Sequence, residues 1–200
     1  MNVATAQEPI TAPVATSASY APVALVALGV LLLTLSAKLQ IPLWPVPMTM
    51  QTYVVLVIAM AYGTRLGIAT LAGYLLAGAL GMPVFAGTPE KGIGVPYMLG
   101  PTGGYLLGFL LSTYVMGKLA QHGWDRSLAL SLAAMTLGHI LILVCGVAWL
   151  AIAMGWTRAI AVGLAPFLAA TILKTVLAGL TLPLAWRWIA KVRKSASSRT

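Results

Sequence analysis

The chain has 200 residues, of which 60% are hydrophobic and only 8% charged, with a formal net charge of +9 and a mean hydropathy of +0.95. This composition excludes an ordinary soluble domain and predicts an all-α integral membrane protein. The basic excess does not point to nucleic acid, because most Lys and Arg residues sit at the ends of apolar stretches, where membrane orientation accounts for them.

Residues 1–19 are rich in Ala, Thr, Pro and Ser and lack the basic start and apolar core of a secretory signal, so they read as a disordered tail. A first span follows over about 21–39. On one flank Ala21, Ala24 and Ala27 recur every three residues, small enough to let another helix approach closely in lipid. The run IPLWPVPMTMQT, residues 41–52, carries three prolines that forbid regular helix and predict an extended loop, wet or covered by protein. Two short spans, 51–62 and 68–80, flank a predicted tight turn at 63–67. Short spans bordered by Gly and Pro suit a binding site, since irregular backbone at membrane depth has to line a cavity.

Residues 81–105 are the most irregular part, with Gly for unusual backbone angles, Pro to stop helices, and Phe85 and Tyr97 as apolar surface that water does not favour. A lid or re-entrant loop is predicted. The phosphate-binding patterns GxxxxGK[ST] and GxGxxG are absent from the sequence. A fourth span, 105–119, ends in a polar turn with Lys118, His122, Asp125 and Arg126; the fifth covers 128–154 and the sixth 165–186. Six transmembrane helices with Pro/Gly-rich outer loops result. In domain terms, a membrane domain over 20–190 lies between the 1–19 tail and a basic tail at 191–200. Alternating the loops puts Arg65, Lys118, Arg126 and the basic tail on one side, against Lys38, Lys91 and Arg158 on the other. The positive-inside rule then makes both termini cytoplasmic.

The chemistry centres on Lys174, the charge near the middle of the last span. Counting from Pro166 places it about 12 Å down the helix at ~1.5 Å per residue. An ammonium at that depth is costly and should face a cavity or a partner. The only acids are Glu8, Glu90 and Asp125, and none lies in an apolar span. The partner is therefore a loop acid folded back, backbone carbonyls, or a ligand with its own negative charge. At helical spacing Lys174 shares a face with Phe167, Thr171, Ala178 and Thr181, while Leu173, Val176 and Leu180 point away. In the fifth span, His139 and Cys145 point to different faces and cannot share a metal, so His139 is expected as a hydrogen-bonded packing residue.

An intramembrane enzyme would need acids, a serine with its base, or a metal cluster, and GxSxG and HExxH are absent, so no catalytic residue is assigned. Proton-coupled carriers rely on membrane-embedded Asp or Glu. What remains is a binding and translocating subunit that borrows its energy from an ATP-driven partner. The alternative is an ion-gradient-driven secondary carrier for a small carboxylate vitamin.

Together, IPLWPVPMTMQT at 41–52, GMPVFAGTPEKGIG at 81–94, GPTGGYLLGF at 100–109, and PFL followed by ILK within 166–174 resemble the BioY family, over about 21–191. Those are the biotin-specific substrate-binding, or S, components of energy-coupling-factor (ECF) transporters. The resemblance implies a six-helix S component in a bacterial inner membrane that captures biotin and carries it across by reorienting while docked on a transmembrane T component, driven by ATP-using subunits. It implies no cofactor in this subunit and leaves a homo-oligomer open. Lys174 matches the family lysine of the last helix, and Thr171 stands where the family usually has an aspartate. On this footing Lys174 is expected to pair with the valerate carboxylate, with Thr171 beside it. Thr49, Gln51, Tyr74, Phe85, Lys91 and Tyr97 are expected to close over the fused rings, and Ala21, Ala24 and Ala27 to dock the T component.

Overall fold

The structure is a computed structural model that describes residues 20–197, with side chains through 192. The tail expected at 1–19 and the last three residues of the chain lie outside the described residues. Helix α1 spans Ala21–Lys38, and a two-stranded antiparallel ribbon pairs β1, Gln40–Ile41, with β2, Met48–Thr49. Then come α2 (Gln51–Ala79), a short α3 (Gly94–Met98), α4 (Gly103–Gln121), α5 (Leu128–Met154), α6 (Trp156–Gly163), a 3-10 turn at Ala165–Phe167 and α7 (Leu168–Ser197). The basic tail expected from 191 is therefore helical through 197.

Helix α2 is two helices in one. Gly63 has φ 71° and ψ −176°, a backbone region open essentially to glycine. The chain folds back there. A Cβ on Gly67 would lie 3.5 Å from the Cα of Ala59, whereas eight residues of straight helix are about 12 Å long. The Gln51 amide reaches the Tyr74 hydroxyl at 2.6 Å, across what would be about 34 Å of unbroken helix. The reversal is thus confined to Gly63, and residues 64–67, expected as a turn, are already helical. Each half is about 18 to 24 Å long, short of the ~30 Å hydrocarbon core.

Helix α4 packs between α2 and α5, and α1 lies against α2 while α7 lies against α5 and α2. Four stretches are long and apolar enough to cross a membrane: Ala21–Lys38, Gln51–Ala79, Leu128–Met154 and Trp156–Val192. Helix α4, expected as a span, is not among them, and its burial explains why. Gly103, Gly104, Gly108, Ser112, Thr113 and Gly117 are all buried in it, small or hydroxylated residues that let neighbouring helices close in at the expense of apolar content. It meets protein more than lipid. Its remaining flank is exposed through Leu107, Leu110, Leu111 and Tyr114, as α1, α5 and α7 are through Leu28, Leu31, Val144, Ile172 and Leu173.

The fold-back generates a prediction. Nothing lies within 4 Å of a Cβ placed on Gly63, so Gly63→Val introduces backbone strain without a clash and should lower stability by about 1–3 kcal/mol. Thermal unfolding in detergent reads this, and an unchanged melting temperature would contradict the geometry at Gly63.

Candidate ligand-binding site

The site is built where α7 meets the proline-rich loop that carries β1 and β2. Phe167, Lys174 and Ala178 are buried, Thr171 is half-buried, and Leu173, Val176 and Leu180 are exposed. This is the periodicity expected of a helix with one wet or protein-facing stripe. Lys174 is only 5% exposed, and its Nζ donates to the main-chain oxygen of Thr49 at 3.0 Å. Thr49 ends β2, and its Oγ1 accepts the Gln51 N–H at 3.2 Å, which turns the chain into α2. The proline-rich loop thus delivers a carbonyl to the lysine.

Of the three acids, Glu90 is exposed in the loop before α3, Asp125 accepts from Trp186 Nε1 at 2.6 Å, and Glu8 lies outside the described residues. The partner chosen, among the alternatives open from sequence, is a neutral carbonyl. The ammonium still borders a cavity of about 50 Å³, whose wall includes Thr49, Gln51, Phe85, Tyr97, Thr171 and Lys174. Tyr105, Phe109 and Phe167 extend the aromatic lining. A typical small-molecule pocket is about 300 Å³ or more, so a bicyclic ligand enters only if the wall moves. A roomier groove of about 450 Å³ runs between α5 and α7 and shares His139, Leu143 and Thr171 with this cavity. Its other lining residues are mostly aliphatic, including Ile140, Leu168 and Ile172, so the convergent polar groups belong to the smaller cavity.

Two expected site residues do not line it. Tyr74 is fully buried behind the wall, where its hydroxyl accepts from Gln51 and donates to the Val84 carbonyl at 3.0 Å. Its ring meets Phe85 edge-on at 5.4 Å. Lys91 is exposed in the outer turn. Another base has the structural part there: Lys38 Nζ donates to the carbonyls of Phe85 and Thr88 at 3.0 and 2.9 Å, and to Thr88 Oγ1 at 3.0 Å. These bonds clamp the end of α1 to the loop that carries Phe85.

The aromatic lining is fixed as tightly. Phe85 stacks on Tyr97 at 4.9 Å, and the Tyr97 hydroxyl donates to the Ala86 carbonyl at 2.8 Å. Burial raises the Tyr97 phenol above its usual pKa, with a smaller opposing effect from its hydrogen bond to Thr102, so it stays a neutral donor. Tyr105 donates to the Gly163 carbonyl at 2.6 Å, anchoring α4 to α6. Glycine makes room for these rings: a Cβ on Gly78 would collide with Phe85, and one on Gly146 with Tyr105.

Thr52, Tyr105, Phe109 and His139 also line the cavity, and sequence reasoning had not placed any of them there. For Tyr105, the signal was Gly146 on the facing helix α5, whose missing side chain makes room for the ring once the helices are docked. No group of three or more His, Cys, Asp and Glu that could hold a metal occurs among the described residues.

Comparison with known proteins agrees with this architecture. The chain is 34% identical over 130 residues to the probable biotin transporter BioY of Rickettsia prowazekii, covering 63% of each chain. It is 46% identical over 90 residues to the biotin transporter BioY of Thermotoga maritima, covering 45% of this chain and 52% of that one. The matches therefore span about half to two thirds of these relatives' lengths. The crystal structure of the S-component for biotin from an ECF-type ABC transporter superposes with a TM-score of 0.73 at 20% identity, covering 86% of this chain and 95% of that one, which shows a shared fold. The BioY family model matches residues 9–191, and the chain belongs to the BioY family.

Proposed function

We propose that this chain captures biotin and carries it across the bacterial inner membrane as the substrate-binding S component of an ECF-type transporter. The observation that carries the reading is Lys174: an ammonium buried on the wall of a narrow, aromatic-lined cavity and held by one neutral carbonyl. An incoming carboxylate is a better partner than that carbonyl, because a charge-assisted bond between two ions is stronger than one to a neutral acceptor. Lys174 takes the valerate carboxylate, and Thr171 adds a neutral hydrogen-bonding group beside it. Thr49, Gln51, Phe85 and Tyr97 pack and bond the rings from the outer side, and Tyr74 supports Gln51 and Phe85 from behind.

In this reading α1, the two halves of α2, α4, α5 and α7 are the six membrane helices. Both termini lie in the cytoplasm, and the loops around Thr49 and Phe85 face outward. Ala24 and Ala27 are exposed and Ala21 is half-buried on α1, which suits docking by the T component. The energy comes from ATP used by partner subunits.

Two outcomes test this. Isothermal titration of purified protein should show biotin binding, weakened roughly 10- to 100-fold by Lys174→Ala, as expected for losing a hydrogen bond to a charged group. Equal affinity in parent and variant would remove Lys174 from the site. Replacing Ala24 and Ala27 together by leucine should abolish co-purification with the ATPase module while biotin binding stays unchanged. Intact assembly would contradict the docking face, and ion-driven uptake by vesicles holding this chain alone would favour a secondary carrier.

A further inference from the structure

Lys174 is not the only polar group on the cavity wall with bonding capacity to spare. His139, on α5, is 2% exposed and borders the cavity, and its Nε2 has no hydrogen-bond partner. Buried polar atoms in folded proteins are nearly always paired, so one left open beside a cavity calls for an explanation.

The other ring nitrogen settles what Nε2 can do. Nδ1 lies 3.0 Å from the Met135 carbonyl oxygen, which can only accept, so Nδ1 carries the hydrogen. The Thr175 hydroxyl oxygen, 2.9 Å away, sits against the same nitrogen and holds the ring from α7. In the neutral ring Nε2 is then a lone-pair acceptor. Protonating it as well would place an imidazolium and the Lys174 ammonium on the wall of one cavity whose lining contains no Asp or Glu, an uncompensated pair of buried cations. Among the groups on this wall with capacity to spare are therefore a cationic donor at Lys174, a neutral acceptor at His139 Nε2 and the unpartnered hydroxyl of Thr52.

We infer that His139 is a specificity-determining residue, whose Nε2 accepts a hydrogen bond from an N–H of the bound ligand. This rests on the reading of the cavity as a biotin site. With its carboxyl ionised, biotin has N–H groups only on the ureido ring, so the ring head meets His139 while the acid meets Lys174. A carboxylate of similar length without an N–H, such as lipoate, leaves Nε2 unpaired and is disfavoured. A site built to bond a polar group rejects analogues that lack it.

The test is biotin titration of the parent, His139→Leu and His139→Gln, together with nitrogen NMR of the parent labelled in histidine. Loss of this bond should weaken biotin binding by about 10-fold in His139→Leu. His139→Gln, whose side-chain oxygen also accepts, should recover most of it. The spectrum should show the Nδ1–H tautomer, with the Nε2 resonance shifting as biotin saturates the protein. His139→Leu binding biotin within about two-fold of the parent would overturn the assignment. So would weakened binding with an unmoved Nε2 resonance, which is the signature of a packing role. If the parent itself gives a flat titration, the biotin reading fails and His139 falls with it, an outcome told apart because it appears before any variant is made.

Discussion

The bond between the Lys174 ammonium and the Thr49 carbonyl, 3.0 Å long, holds the site together. Taking an ammonium out of water is expensive, and one neutral oxygen compensates it only in part. The arrangement is tolerable because β2 brings the carbonyl to the lysine, so that a single contact offsets part of that cost and also ties α7 to the loop before α2. A ligand acid that displaces the carbonyl necessarily loosens that tie. On the proposed reading, capture and movement of this loop are one event, because the cavity of about 50 Å³ is smaller than a typical small-molecule pocket.

The irregular loops are ordered by side chains reaching across to main-chain carbonyls, since the ribbon supplies little backbone pairing. Lys38 holds Phe85 and Thr88, Tyr74 holds Val84, Tyr97 holds Ala86, and Trp149 Nε1 donates to the Gly100 carbonyl at 3.0 Å. Loop carbonyls shielded from water need such donors. Arg158 on α6 lies over the Trp44 ring at 5.9 Å, joining the first outer loop to the connection before α7. Most of these links are individually breakable, consistent with loops that open and close over a site while the α2, α4 and α5 core stays put.

Much of this was legible in the sequence. The apolar spans followed from composition, the break near Gly63 from its glycines, and the inward face of α7 from helical spacing around Lys174. The irregular loops were marked by their prolines and glycines. What could not be read were relations between distant segments. Tyr74 and Gln51 are 23 residues apart, and only the fold-back shows that the tyrosine braces the glutamine from behind. Lys38 and Lys91 are equally basic in sequence, yet only the docking of α1 on the loop selects Lys38 as the clamp. His139 is held as a packing residue through Nδ1, but that its Nε2 is buried without a partner shows only once the helices are docked around it. The low apolar content of α4 likewise made sense only after its neighbours closed around it.

The central claim is that the Lys174 ammonium is held ready for an oxygen that the ligand brings. A structure determined with biotin bound tests it most directly. The account predicts a biotin carboxylate oxygen about 3 Å from Lys174 Nζ, inside the cavity between Thr49 and Thr171. Biotin bound elsewhere, with the ammonium still on the Thr49 carbonyl and no ligand atom within hydrogen-bond reach, would contradict it.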